Sequence, residues 1–159
     1  KKTILFAVVI FITATLFGQT KTFTGAWFEI KYPSEFTPRP SLRSATSQKG
    51  YESAFFKSPD GLVEFYIYSP QWSGNPTDIA AKNTEETTST TSKTSGNVII
   101  TWWTITAKDR SYTRTYQETR DNLSNTNWVV GIKYRNQTAY NKYKQQYLAF
   151  KASLSQFGD

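Results

Sequence analysis

The chain contains no histidine, no cysteine and no methionine among its 159 residues. Without imidazole or thiolate groups, it cannot form a Ser-His-Asp or Cys-His nucleophile system. The same absence excludes zinc sites and most transition-metal sites, which are built from those two ligand types. Glycine-rich phosphate loops and the calcium-binding loop of EF-hands are also missing. The sequence therefore predicts a protein without a metal or another cofactor.

Carboxylate pairs remain a familiar route to catalysis, since two acids at a suitable separation can hydrolyse a glycosidic bond. The chain has 12 acidic residues, but they are dispersed along it and form no recognisable pair. Because neither a general base nor a nucleophile can be named, the sequence predicts a protein that is not an enzyme.

Basic residues outnumber acidic residues by 19 to 12. They are scattered, and even the densest stretch, 133–151, is interrupted by Tyr, Gln and Asn. Nucleic-acid-binding proteins usually cluster their basic residues on one face. The predicted partner is therefore an envelope protein or a small ligand, and not a nucleic acid.

The first residues have the layout of a secretory signal peptide. Two lysines precede an apolar run of 14 residues, Ile4–Phe17, and a small residue follows it. This layout predicts a signal peptide over 1–19, cleaved near Gly18 or Gln19. The alternative is an uncleaved membrane anchor, although a spanning helix needs roughly 20 apolar residues. The sequence thus predicts a secreted or periplasmic protein, which touches the membrane only through an uncleaved signal segment.

Residues 20–159 are predicted to form a single α+β domain. The segment 26–32 alternates apolar and polar residues, a pattern typical of a strand with one buried face. Strands 53–57 and 62–69 are predicted to form a hairpin. The intervening Ser58-Pro59-Asp60-Gly61 has Pro and Gly at the positions that a type I turn favours.

The middle of the chain is predicted to contain one loop and three strands. Thr77 is a candidate cap for a short helix before the loop. The stretch 84–96 is almost entirely polar and rich in Thr and Ser, which indicates a mobile loop. The segment 97–106 is apolar on both faces and is therefore predicted to be a central strand. Strands 111–118 and 128–134 follow.

A final helix is predicted from Ala139 to about Gln156, with Thr138 as its cap. Its apolar residues recur at steps of three and four, so they form one stripe that is expected to lie on the sheet. The stripe consists of Tyr140, Tyr143, Tyr147, Phe150 and Leu154.

Two sequence motifs and the terminal helix together resemble the PsbP-like superfamily, which also includes the Ran-binding Mog proteins. The motifs are Phe28-Glu29-Ile30-Lys31-Tyr32-Pro33, followed by Phe36, and Ala54-Phe55-Phe56-Lys57-Ser58-Pro59-Asp60-Gly61. The resemblance implies an antiparallel sheet flanked by helices, an α/β/α sandwich, with the C-terminal helix packed on the sheet. It also implies docking on partners rather than a shared catalysis. No residues match the photosystem or Ran contacts, so no contact residue is carried over.

Two surfaces are candidates for binding. Tyr66, Tyr68 and Trp72 are predicted to contact a protein partner, because aromatic side chains bury a large area with few rotatable bonds. The alternative is that these rings belong to the core or its edge. On this interpretation the chain is an exported, non-catalytic binding or scaffold module.

The second candidate surface is one face of strand 111–118. Tyr112, Arg114 and Tyr116 share this face, where the guanidinium can bind a carboxylate or phosphate and the rings can enclose a small anion or a sugar. The alternative is a structural sheet face in which Arg114 pairs with Glu118.

Overall fold

The computed structural model describes residues 18–157, so most of the predicted signal peptide, 1–17, lies outside the described residues. Ten strands, one α-helix (α1, Gln137–Ala152) and one 3₁₀ helix (Thr77–Ile79) make up this part of the chain. No helix in residues 18–157 has the length and apolar character needed to cross a membrane. The strands are β1 Thr20–Thr24, β2 Phe28–Pro33, β3 Thr37–Pro40, β4 Ser53–Lys57, β5 Val63–Tyr68, β6 Glu85–Ser95, β7 Val98–Ala107, β8 Thr113–Asp121, β9 Thr126–Tyr134 and β10 Ser155–Gln156.

All strand pairs are antiparallel and belong to two sheets. The larger sheet has seven strands in the order β3-β4-β5-β9-β8-β7-β6, and the smaller one has the order β1-β2-β10. The helix α1 packs against β2, β5 and β9 and so joins the two sheets. This arrangement confirms the predicted α+β class with a C-terminal helix on an antiparallel sheet.

The predicted hairpin is formed by β4 and β5. The backbone N–H of Gly61 donates to the carbonyl of Ser58 at 3.0 Å, and Gly61 has a φ of 68°, which glycine adopts without strain. Asp60 extends from this turn to the helix, where its Oδ2 accepts hydrogen bonds from Lys142 Nζ at 2.8 Å and Tyr143 Oη at 2.7 Å. The turn therefore fastens the hairpin to α1.

The core between α1 and the sheet is aromatic. The predicted helical stripe faces it: Tyr143, Tyr147 and Phe150 are buried, whereas Tyr140 and Leu154 lie at its margin. Phe150 contacts both Phe56 and Phe65, with ring centroids 5.3 Å apart in each pair. This packing explains why the sheet and the helix share one apolar interior.

The helix begins and ends earlier than the sequence predicted. Asn136 is the cap instead of Thr138, because its Oδ1 accepts the N–H of Ala139 at 2.9 Å. The helix stops at Ala152, since Ser155 and Gln156 pair with β2 as a short strand. The predicted boundary near Gln156 is therefore wrong by one helical turn.

The sheet face opposite α1 has a thinner cover, made of loops and the 3₁₀ helix. The predicted helix after Thr77 is only this 3₁₀ helix, and Thr77 does not cap it. Asp78 instead accepts hydrogen bonds from Tyr66 Oη and Ser53 Oγ, both at 2.7 Å. Ile79 is buried beside Tyr66. These contacts hold the segment flat on the sheet rather than letting it continue as a helix.

The predicted mobile loop over 84–96 is wrong, because Glu85–Ser95 forms the edge strand β6 and pairs with β7 along its length. All of its residues after Glu85 are exposed, so no apolar alternation marks it in the sequence. Threonine nevertheless favours extended backbone, and pairing with β7 provides hydrogen-bond partners for the backbone N–H and C=O groups on one edge of β6. In turn β7 is next to the edge and not central, and Trp102 is exposed.

Candidate functional site

The structure brings the three predicted ligand-binding residues together. Tyr112, Arg114 and Tyr116 line an open cleft of about 270 Å³ on the sheet face opposite α1. Strand β8 and the turn before it position all three, and α1 covers the other face of the sheet. The remaining charged residues of the cleft are Arg39, Glu64, Asp78, Lys82, Glu85 and Lys133.

Arg114 is buried at the floor of the cleft, and the protein uses all its hydrogen-bond donors. Its Nε and one Nη2 proton bind the two carboxylate oxygens of Glu85. The other Nη2 proton goes to the carbonyl of Ala80 at 3.1 Å. Nη1 donates to the carbonyl of Ile79 at 2.8 Å and to Tyr116 Oη at 3.0 Å. A guanidinium has five N–H groups, so an anion could bind Arg114 only by displacing one of these partners.

Glu85 is the partner that the sequence did not reveal. It also accepts hydrogen bonds from Tyr112 Oη at 2.6 Å and from the N–H of Lys82 at 2.8 Å. Burial raises the pKa of Glu85, but the hydrogen bonds from Arg114, Tyr112 and the Lys82 backbone outweigh it and lower the pKa to about 2. The pair is therefore charged at neutral pH.

The predicted alternative pairing of Arg114 with Glu118 is wrong. Glu118 instead accepts from Arg120 at 3.1 Å and from Asn127 at 2.7 Å. Tyr116 is also less available than predicted, because its ring is buried between Trp103 and Tyr66, with centroids 5.3 and 5.7 Å away. Burial raises the pKa of Tyr116 to about 12, so it remains a neutral phenol.

Lys133 is a cationic group that the sequence analysis missed. Its Nζ lies 3.9 Å from the centroid of the Tyr112 ring. Across the sheet it lies in register between Glu64 and Arg114. Within residues 18–157, no carboxylate oxygen approaches its Nζ within 4.0 Å. Burial lowers the pKa of Lys133, which is partly offset by Glu64. It is thus a half-buried cation with unused donors in the cleft.

The predicted partner-binding residues divide into two groups. Tyr66 and Tyr68 are only 1% and 2% exposed, so they are core residues and cannot form a contact surface. Trp72 is 53% exposed and lies in the loop after β5. Leu123, in the turn between β8 and β9, is 80% exposed. The sequence analysis missed Leu123, because one apolar residue in a polar turn has no periodic pattern.

Hydrogen bonds join these two loops into one end of the molecule. The N–H of Ser73 donates to the carbonyl of Asn125 at 2.8 Å. The fully buried Asn127 accepts from the N–H of Gly74 at 2.8 Å and donates to its carbonyl at 3.0 Å. A Cβ added to Gly74 would lie 2.1 Å from the hydroxyl of Tyr68, so only glycine fits there. The loop that displays Trp72 is therefore tightly constrained.

Comparison with known proteins gives a result at the level of fold. No protein-family model and no curated protein matches the sequence. The structure is similar to the solution structure of cyanobacterial PsbP (CyanoP) from Synechocystis sp. PCC 6803, with a TM-score of 0.52 and 6% identity over 91% of this chain and 96% of that chain. It is also similar to the Ran-binding protein Mog1p from Saccharomyces cerevisiae, with a TM-score of 0.43 and 10% identity over 87% and 95%. The chain has a PsbP-like fold, and the predicted resemblance is confirmed to that extent.

We predict that Glu85→Gln destabilises the protein at pH 7 by about 3–5 kcal/mol, because it removes the counterion of a buried guanidinium. The folded-state pKa of Glu85 is about 2 and its ordinary value is 4.5. The stabilisation is therefore complete above pH 4.5 and is lost as the pH falls toward 2, by about 3 kcal/mol.

Urea unfolding followed by tryptophan fluorescence at several pH values between 7 and 2 measures this effect. The stability difference between wild type and Glu85→Gln should shrink as the pH falls. Glu86→Gln changes the neighbouring exposed carboxylate on the same strand and should differ little from wild type at any pH. A difference for Glu85→Gln that stays constant down to pH 2 would contradict the assignment.

Proposed function

We propose that the chain is a non-catalytic binding module that docks on a partner protein through the loop end carrying Trp72 and Leu123. The observation that supports this proposal most directly is the exposure of two large apolar side chains on loops that hydrogen bonds hold together. Exposed apolar residues grouped at one end of a molecule are typical of interaction surfaces, whereas scattered single ones are common everywhere.

The rigidity of this loop end favours binding. Asn127 holds the Gly74 backbone through two hydrogen bonds, so the loop that carries Trp72 already has a fixed conformation before a partner binds. A constrained loop loses little conformational entropy on association. An indole also contributes a large apolar area with only two rotatable bonds, which is why tryptophan is enriched among the residues that dominate interface energies.

The state of the carboxylates in the cleft is compatible with a binding role. Among residues 18–157, no three His, Cys, Asp or Glu side chains are grouped closely enough to hold a metal ion. The most perturbed carboxylate of the cleft, Glu85, is ionised and fully hydrogen-bonded, so it is a poor proton acceptor at neutral pH. We therefore assign the buried ion pair a structural role.

A second candidate function is the binding of a small anion in the cleft, and Lys133 is the observation that favours it. The predicted Tyr/Arg face contributes the floor, but Arg114 has no free donor. Lys133 has unused N–H groups at the cleft, and Tyr112 keeps it in place. A carboxylate or phosphate group, free or attached to a sugar, matches these donors.

We also propose that the protein is exported and acts in the envelope or outside the cell. The support comes from the sequence of the first 19 residues, whose charged, apolar and small-residue regions follow the order of a signal peptide. Thiols are oxidised to disulfides in that compartment, and a domain without cysteine is not affected by this reaction.

To test docking, we predict that Trp72→Ala combined with Leu123→Ser abolishes partner binding without lowering thermal stability by more than a few degrees, because both side chains are exposed. A photo-crosslinking residue at position 124, next to Leu123, should give a discrete product when the exported protein is mixed with its own envelope extract, and it leaves Trp72 and Leu123 in place. An excess of unlabelled wild type should compete this product away, and the double variant should not.

Leu148 provides the matched control, since it is an exposed apolar residue on α1 and belongs to neither loop. A photo-crosslinking residue at position 148 should give no such product, and Leu148→Ser should compete as well as wild type. Equal competition by the double variant would show that the loop end is not the docking surface.

For the cleft, we predict that inorganic phosphate and glucuronate shift the backbone amide resonances of Tyr112 and Lys133 in NMR titrations. Lys133→Met should raise the dissociation constant obtained from the Tyr112 shift at least tenfold. The substitution keeps a side chain of similar length but removes the hydrogen-bond donors. Lys144→Met, on the exposed side of α1, is the control of equal charge change. Unchanged titration of Lys133→Met would contradict anion binding at this residue.

For export, we predict that protein recovered from the periplasm or medium begins at Gln19 or Thr20, as measured by intact mass spectrometry. Replacing Ile10 by Arg interrupts the apolar run and should retain the uncleaved chain inside the cell. The conservative Ile10→Leu should be processed normally. An exported product that retains Lys1 would show that the segment is not cleaved.

A further inference from the structure

The edge strand β6 has an unusual combination of length and exposure. It contains 11 residues, and only its first, Glu85, is buried. Its inner edge pairs with β7, while no strand of residues 18–157 pairs with its outer edge. Proteins usually shorten such edges or interrupt them with proline, because the free N–H and C=O groups recruit other strands. Here the strand has no proline, and its two protective features, one bulge and Lys93, leave an unbroken run from Ser89 to Ser95 whose outer edge is open for pairing.

The layers that cover the rest of the sheet do not reach this end. The helix α1 packs against β2, β5 and β9, and the 3₁₀ helix lies over Tyr66 on the opposite face. Ile99 and Ile100, on opposite faces of β7, are consequently only partly buried. The sheet therefore ends in a thin ribbon that an additional strand can extend without a steric obstacle from either layer.

A β-bulge sets the pattern of charges on β6. The pairing with β7 shifts between Thr87 and Ser89, so that Thr88 is an extra residue. Glu86 lies opposite Thr106, and Lys93 lies opposite Ile100. Side chains alternate along a strand, so the even-numbered β7 residues share one face, and Glu86 and Lys93 point to that face as well. Without the bulge, an odd separation of seven residues would put them on opposite faces.

We propose that two copies of the chain form a two-fold symmetric dimer by antiparallel pairing of β6 with β6 of the partner. The two seven-stranded sheets then become one continuous sheet of 14 strands. The proposed two-fold axis passes between the two Thr90 residues, which lie directly opposite each other. The outer edge of β6 and the loop end that carries Trp72 have no residue in common, although the turn after β6 contacts the β8–β9 turn through Asn122 N–H to the carbonyl of Asn97 at 3.0 Å. The dimer does not depend on the proposed docking function.

Charge complementarity selects this partner and this register. Counted from Thr90, Glu86 is three paired positions away in one direction, since Thr88 is not paired, and Lys93 is three positions away in the other. Each Glu86 therefore lies opposite Lys93 of the other copy, and the two pairs are related by the two-fold axis. If one β6 strand slid along the other by one position, the residues opposite each other would belong to different faces of the two sheets. If it slid by two positions, Glu86 and Lys93 would both lie opposite neutral residues.

The central positions are compatible with the same register. Between the two charge pairs, Ser89 lies opposite Thr91 of the second copy, and Thr87 lies opposite Ser92. Hydroxyl side chains at directly opposed positions can hydrogen-bond across an antiparallel pair. No like charges meet anywhere along the strand, because Glu86 and Lys93 are its only charged residues besides the buried Glu85.

Sedimentation of the full-length chain over a range of concentrations tests the dimer. Wild type should show a monomer–dimer equilibrium that weakens as salt is added, since exposed charge pairs are screened. Glu86→Lys and Lys93→Glu should each raise the dissociation constant at least tenfold, because each places like charges opposite one another twice. The double variant Glu86→Lys/Lys93→Glu should restore the wild-type value, and a mixture of the two single variants should form a heterodimer.

A cysteine at the axis gives a second measurement. The described residues contain no cysteine, and the sequence has none elsewhere. Thr90→Cys should therefore form a disulfide-linked dimer under mild oxidation, because directly opposed residues have nearby Cβ atoms. Thr94→Cys is the control, since Thr94 lies opposite Glu85 in this register and far from its own copy. A purely monomeric wild type, a double variant that fails to restore association, or equal crosslinking at both positions would each overturn the proposal.

Discussion

The buried ion pair between Arg114 and Glu85 holds the less protected side of this fold together. Burying two charges is costly, and only close geometry and complete hydrogen bonding offset the desolvation. Here the guanidinium also binds the carbonyls of Ile79 and Ala80, so one side chain ties the 3₁₀ segment and the start of β6 to the start of β8. The ion pair thus fixes where the chain returns to the large sheet, as β6, after the connection that follows β5.

This constraint explains how the two faces of the sheet differ. On one face, α1 covers an aromatic interior, and polar contacts such as Tyr143 to Asp60 and Lys151 to Gln117 surround it. On the other face, hydrogen-bonded polar groups support a thin cover, and Asp78 and Asn127 play the same part for their segments as Glu85 does for β6. A polar scaffold of this kind leaves openings between its parts. The cleft at Lys133 and the constrained loop of Trp72 are both such places.

The sequence predicted those elements that follow from local pattern. The hairpin depends on four consecutive residues, and the stripe of α1 depends on steps of three and four, so both could be predicted. Strand β6 could not, because an edge strand exposed on both faces has no apolar alternation to recognise. The predicted Tyr112–Arg114–Tyr116 face does line a cleft, but the role of Arg114 depends on Glu85, 29 residues earlier. Pairing over that distance is set by topology, which a single sequence does not display.

The bulge at Thr88 connects the interior of the protein to its edge. If β6 continued without the extra residue in the register of Ser89 opposite Thr104, Glu86 would lie opposite Ala107 and face the cleft. Glu85 would then point to the other side, and Glu86 would take its position beside Arg114. One inserted residue therefore places the first glutamate against the buried guanidinium and leaves the second on the open edge, on the same face as Lys93. The choice of Glu85 as the counterion of Arg114 and the charge pattern along β6 are consequences of the same backbone irregularity.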